Sequence, residues 1–309
     1  GWHFLFSYGL RFALGTGGVF TVVNATGSRW FSSKRGLAVG ITSSGGGVGA
    51  VFIAPMSAMF ISAFDWRISL LILGMVTGIV MACMAFVLRS DPREMGLHPD
   101  GVLEPLQSNH SDALAFSEKN PTSAEALRMK DFWLLFGNWL LLSAAVHLVI
   151  VHVAPCATDR GLTVVDAAFI LSLTGMASIP GRLVVGRVSD LIGRRSLSIL
   201  SGFFQTVALG GLIFASDNAA FYVCGLLFGF GWGGFSTTVT AVVGDLFGIR
   251  SLGVIMGCLS AAWALGAALG PAAGGLAFDL TGSYTSAFIG GAMALVSASA
   301  LVLPLGTRR

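Results

Sequence analysis

Hydrophobic residues in this chain come in runs of roughly 20, separated by short polar segments. Nine such runs stand out, at 4–23, 37–60, 68–88, 132–153, 165–185, 197–215, 219–243, 252–277 and 287–305. A run of that length crosses the hydrocarbon core of a bilayer as a helix. The pattern therefore predicts an all-α, polytopic membrane protein. One polar stretch is long, 89–130, and it holds Pro92, Pro99, Pro105 and Pro121 among Ser, Asn and Glu without apolar periodicity. It reads as a partly disordered linker, with a turn past a helix end at 92–99, where Gly96 sits. The expected division is 1–90, the remainder of an N-terminal bundle; 91–130, the linker; and 131–309, a C-terminal six-helix bundle.

The positions of Lys and Arg set an orientation. With the arginine-rich loop near residue 190 placed inside and sides alternating, fourteen basic residues fall inside and two, Arg67 and Arg160, outside. Arg11 and Arg182 stay within spans. The linker and the C-terminus are then expected on the cytoplasmic side of the plasma membrane.

Composition agrees. Of 309 residues, 54% are hydrophobic and 11% charged, and the mean hydropathy is +0.81. Soluble domains carry about 25% charged residues. A net charge of +3, spread over short loops, gives no basic patch for nucleic acid. Cys83, Cys156, Cys224 and Cys258 lack metal-ligand spacing and read as free thiols. His147 and His152 lie about 140° apart around a helix, a poor metal pair. No metal, nucleotide or other cofactor is expected, and no cluster suited to a membrane-embedded enzyme stands out.

An internal repeat runs through the chain. Gly15-Thr16-Gly17 and Arg29-Trp30-Phe31 correspond in order to Gly229-Phe230-Gly231 and Asp245-Leu246-Phe247. Gly40, Gly49 and Pro55 correspond to Gly257, Gly266 and Pro271, at a distance of about 215 residues. Chance matching in glycine-rich helices is the plain alternative.

The most specific stretch is Gly181 to Arg195. Its skeleton Gly186-x-x-x-Asp190-x-x-Gly193-Arg194-Arg195 resembles the loop signature of the major facilitator superfamily, with Leu191 where the family usually has a basic residue. Gly186 would let two helices approach, Asp190 could sit at the positive N-terminus of a neighbouring helix, and Gly193 permits the turn. The plain alternative is a basic loop that only sets orientation. The resemblance implies two pseudo-symmetric bundles and alternating access. Three spans precede Gly229 after the linker, whereas fourteen residues precede Gly15. Equivalent halves would place about nine of twelve spans in this chain, with three expected before Gly1.

Further residues resemble the monocarboxylate-porter branch and its oxalate/formate-exchanger relatives. They are Arg29-Trp30-Phe31, Lys34-Arg35-Gly36-Leu37-Ala38-x-Gly40, Asp65-Trp66-Arg67, Gly175 with Arg182, and Gly270-Pro271 followed by Asp279-x-x-Gly282-Ser283-Tyr284. In that branch an arginine of this span holds the substrate carboxylate, which implies that role for Arg182. The residue type fits, because a guanidinium offers two parallel hydrogen bonds to a carboxylate. An arginine inside a span costs roughly 2.5–3.5 kcal/mol on insertion scales, so it faces a cavity or a partner. Snorkelling toward the surface is the alternative. Mammalian members have an aspartate where this chain has Ser178, which weakens a carboxylate proton relay there.

His147, with Ser143 and Trp139 on one stripe, could face a wet cavity or could be a packing histidine. Trp232, Ser236 and Thr240 form a stripe that could line a pathway or pack in the core. Arg11-x-x-x-Gly15-x-Gly17 resembles a fourth-span signature of proton-linked transporters, with Leu14 in place of glutamine. Gly257, Gly266, Gly270, Pro271, Gly274 and Gly275 suit close helix contact and a flexible break.

The expected function is secondary active transport of a small organic anion, monocarboxylate in type and coupled to protons. Substrate binding is expected at Arg182, His147, Ser178 and Trp232, and coupling or gating at Arg11, Gly186, Asp190, Gly193, Arg194 and Arg195. The alternatives are efflux of drugs or metabolites and an inactive truncated product.

Overall fold

The computed structural model describes residues 13–31, 34–89, 91–97, 121–248 and 252–305. Among them there is no strand. The helices are α1 (Ala13–Trp30), α2 (Arg35–Phe64), α3 (Trp66–Val87), α4 (Ser123–Arg128), α5 (Lys130–Asp159), α6 (Val164–Pro180), α7 (Gly186–Ile192), α8 (Arg194–Phe214), α9 (Asn218–Phe247), α10 (Leu252–Thr281) and α11 (Thr285–Val302). A single π-helical turn, Gly181–Val185, joins α6 to α7, so Val164 to Ile192 forms one rod. Eight helices among the described residues are long and apolar enough to cross a membrane.

The apolar runs predicted these elements, with two corrections. The first run ends near residue 23, yet α1 continues to Trp30. Its last turns are polar because they are buried against protein: Asn24, Thr26 and Ser28 are all buried, and Asn24 Oδ1 accepts from Thr42 Oγ1 of α2 (3.3 Å). The start of that run and Arg11 lie outside the described residues. The second correction is α4, inside the expected linker. Thr122 Oγ1 accepts from Glu125 N–H while the Glu125 carboxylate accepts from Thr122 N–H (2.8 Å), a reciprocal cap that starts the helix. The expected turn appears as a 3-10 turn, Pro92–Met95, closed by Gly96 at φ +69°.

Within a membrane, small residues set helix contacts, because lipid tails are as apolar as leucine. α10 packs along α5 on Gly266, Gly270 and Gly274, where a Cβ would strike the Leu140 carbonyl, the Ala144 carbonyl and the His152 ring. Pro271 does not break α10. Its carbonyl accepts from His152 Nε2 (2.9 Å) instead, and the His152 ring packs beside Tyr284. α9 lies at the centre, packed on α6 and α8, with Phe221, Phe228, Phe235 and Phe247 fully buried.

α2 runs alongside the rod from Val164 to Ile192, and this seam joins the helices before the polar stretch to those after it. A Cβ on Gly36 would lie 2.6 Å from the Gly186 carbonyl, and one on Gly40 2.5 Å from the Arg182 carbonyl. Any side chain at either position would push the two backbones apart.

Candidate functional site

Arg182 stands in the π-helical turn and is buried, 6% exposed. Pro180 immediately precedes that turn and has no N–H to donate, a position where the regular ladder widens. The guanidinium Nη1 donates to Ser178 Oγ (2.8 Å), and the Ser178 hydroxyl in turn donates to the Gly175 carbonyl (2.7 Å). The guanidinium carbon lies 5.0 Å from the centre of the Trp232 ring, a cation–π contact. Nε is buried with no hydrogen-bond partner, and no carboxylate among the described residues lies within ion-pair distance. Close packing of α6 on α9 makes the arrangement: Gly229 and Gly233 of α9 press on the Thr174 and Ser178 carbonyls. Trp232 is thereby set over Arg182.

Arg182 and Trp232 line a cavity of about 320 Å³, together with Ser43 of α2, Trp139 and Leu142 of α5, Ser236, Val239 and Thr240 of α9, and Ser260 and Trp263 of α10. Trp139 and Trp263 meet edge to face at 6.3 Å. The expected stripe of Trp232, Ser236 and Thr240 thus faces the cavity. Ser178 touches Arg182 from behind the wall. His147 does not line the cavity: its Nδ1 lies 2.9 Å from the Ser143 carbonyl and 3.2 Å from Ser143 Oγ, and its ring packs edge to face on Trp263 (5.5 Å). Trp263 and Ser43 carried no signal in the chain beyond being an aromatic and a small polar residue in apolar runs.

One end of the seam carries the charged loop. The Asp190 carboxylate, 3% exposed, accepts from the N–H groups of Gly36 and Leu37 at the start of α2 (2.9 and 3.1 Å). A helix N-terminus carries positive partial charge and unpaired donors, so a carboxylate fits there. Arg194 bridges Asp190 (Nη2, 3.3 Å) and Asp245 at the end of α9 (Nη1, 2.8 Å). Gly193 makes the turn at φ +102°, and Arg195 is half-buried at the start of α8.

Comparison with known proteins places the fold. The family model of the Major Facilitator Superfamily matches residues 2–247 and 179–309. The chain is 29% identical to Monocarboxylate transporter 12-B of Danio rerio over 97% of its own length and 66% of the relative's. It is 27% identical to the Oxalate:formate antiporter of Oxalobacter formigenes, over 84% of this chain and 60% of that one. It thus spans about two thirds of the length of the curated relatives it matches. Among solved structures, the human organic anion transporter MFSD10 (TETRAN) superposes with a TM-score of 0.69 at 14% identity, covering 92% of this chain and 67% of that one. FucP in the outward conformation superposes at 0.63, also at 14% identity, covering 92% and 71%. With the family model covering almost the whole chain and the fold matched independently, this polytopic α-helical chain belongs to the Major Facilitator Superfamily.

Proposed function

We propose that the protein is a secondary active transporter of a small organic anion, monocarboxylate in type, working by alternating access. The moving parts are the helices of 1–90 and of 131–309, linked by 91–130, and proton symport drives uptake across the plasma membrane, with the linker and C-terminus cytoplasmic. One observation carries the reading: a buried guanidinium on the wall of a cavity, with a free Nε and no carboxylate partner among the described residues. An arginine stabilised only by a hydroxyl and an aromatic face is incompletely neutralised, and an entering carboxylate completes it. Asp190, Arg194 and Gly186 form the lock at one end of the seam, which must open for the opposite access state. The names of the relatives support an anionic substrate.

The test is uptake of labelled lactate, pyruvate, formate and oxalate by the full-length protein, with and without an imposed proton gradient. Arg182→Leu is expected to abolish uptake while the protein still reaches the membrane; unchanged uptake in that variant refutes the proposal. Exchange is the second reading, favoured by the similarity to an antiporter. It predicts uptake that requires preloaded internal anion and ignores the proton gradient.

A further inference from the structure

The cavity is built for more than a two- or three-carbon acid. We infer that the preferred substrate is an aromatic monocarboxylate, its carboxylate on Arg182 and its ring against the Trp139–Trp263 pair. This rests on the proposed role of Arg182. Three observations carry the extension.

The first is size. About 320 Å³ is room for roughly ten waters at about 30 Å³ each. Formate would displace only a few, leaving the tryptophan faces wet and most of the available apolar contact unused. A ring plus a short acidic arm fills the space.

The second is the wall. Trp139, Trp232 and Trp263 come from three different helices, α5, α9 and α10, and converge on one cavity. Trp232 already stacks under the guanidinium. Trp139, 5% exposed, backs Trp263 edge to face, and the rings of Trp263 and Trp232 turn aromatic surface to the same space, where a flat conjugated ring gains offset or edge contacts that an aliphatic chain cannot.

The third is the count of donors. Among the described residues that line the cavity, Arg182 is the one cationic side chain. The lining hydroxyls spend their protons on backbone carbonyls of their own helices: Ser43 on Gly40, Ser236 on Gly233, Thr240 on Ser236 and Ser260 on Met256. They offer lone pairs to the cavity, which repel a second carboxylate. Among the described lining residues, the donors left over include the guanidinium and the indole N–H of Trp232, so one anionic end meets a full positive charge and a second does not. A dicarboxylate such as oxalate is disfavoured on this ground.

The experiment uses the full-length protein in proteoliposomes, with labelled phenylacetate, acetate and oxalate as probes. The expected result is a kcat/KM for phenylacetate about tenfold or more above that for acetate, and oxalate poorer than both. Trp263→Leu should lower the phenylacetate-to-acetate ratio by about tenfold, and Trp263→Phe should restore most of it. Equal kcat/KM for acetate and phenylacetate in the wild type overturns the inference even if no variant folds. So does a Trp263→Leu variant that lowers both acids alike. These outcomes leave the Arg182 reading standing. If neither acid is carried, or if Arg182→Leu leaves uptake of both intact, the proposed function falls and the inference falls with it.

Discussion

The carboxylate of Asp190 caps the start of α2, accepting from Gly36 N–H 154 residues away in the chain and from Leu37 N–H beside it. Both bonds are charge-assisted and the carboxylate is buried, so each contributes about 1.5–3 kcal/mol to holding the start of α2 against that loop. Asp190→Ala removes both acceptors; Asp190→Asn keeps one oxygen and loses the charge. Hydrogen–deuterium exchange at the Gly36 and Leu37 amides should rise by about tenfold or more in the alanine variant, and less in the asparagine variant. Equal protection in all three proteins would remove the lock.

A second expectation concerns the seam itself. Gly40→Ala places a Cβ 2.5 Å from the Arg182 carbonyl, whereas Gly49 has nothing within 4 Å of the same position. Overpacking of this kind costs about 1–3 kcal/mol. Gly40→Ala should cut uptake about tenfold per molecule in the membrane, and Gly49→Ala should leave it unchanged. Uptake normalised to membrane-inserted protein decides between them.

Ser178 is the side-chain oxygen that orients the guanidinium. Ser178→Ala frees Nη1 and lets Arg182 swing, at a cost of about 1.5–3 kcal/mol for a hydrogen bond to a charged group. The KM for carboxylate substrate should rise about tenfold, and the thermal midpoint of the purified protein should fall with the lost bond. A KM unchanged in this variant would assign Ser178 to packing alone.

His152 is expected to matter for stability rather than transport. It donates to the Pro271 carbonyl and fills the notch at Gly274 beside Tyr284. His152→Ala leaves both the carbonyl and the notch empty, which should cost about 1–3 kcal/mol and lower the thermal midpoint, read by fluorescence-detected size exclusion. The KM for carboxylate should hold.

The spans were legible because twenty apolar residues have one use in a membrane protein, and the position of Asp190 was legible because its loop signature is local. The Trp232, Ser236 and Thr240 face could be read from helical spacing, though which way it pointed could not. Trp263 and Ser43 were hidden, because their facing depends on how α10 rests its glycines on α5 and how α2 lies on the rod. His147 was legible only as a polar residue in a span that needs a partner, and Ser143, one turn away, lies within hydrogen-bond distance of it. α1 was cut short because Asn24, Thr26 and Ser28 look like a helix end when they are a helix face turned toward protein. The α4 cap was present as Thr122-Ser123-Ala124-Glu125, a short signal submerged in a polar stretch.

Arg182 touches two things at once: its side chain faces the cavity, and its carbonyl rests against Gly40 of the opposing helix group. A single residue therefore serves as fulcrum and as fingertip. In the proposed transport cycle, a rocking of the two halves about this contact displaces the guanidinium directly. On that proposal, grip on the cargo and the tilt of the machine are one coordinate, and a lesion on either side of Arg182 is expected to be felt on the other.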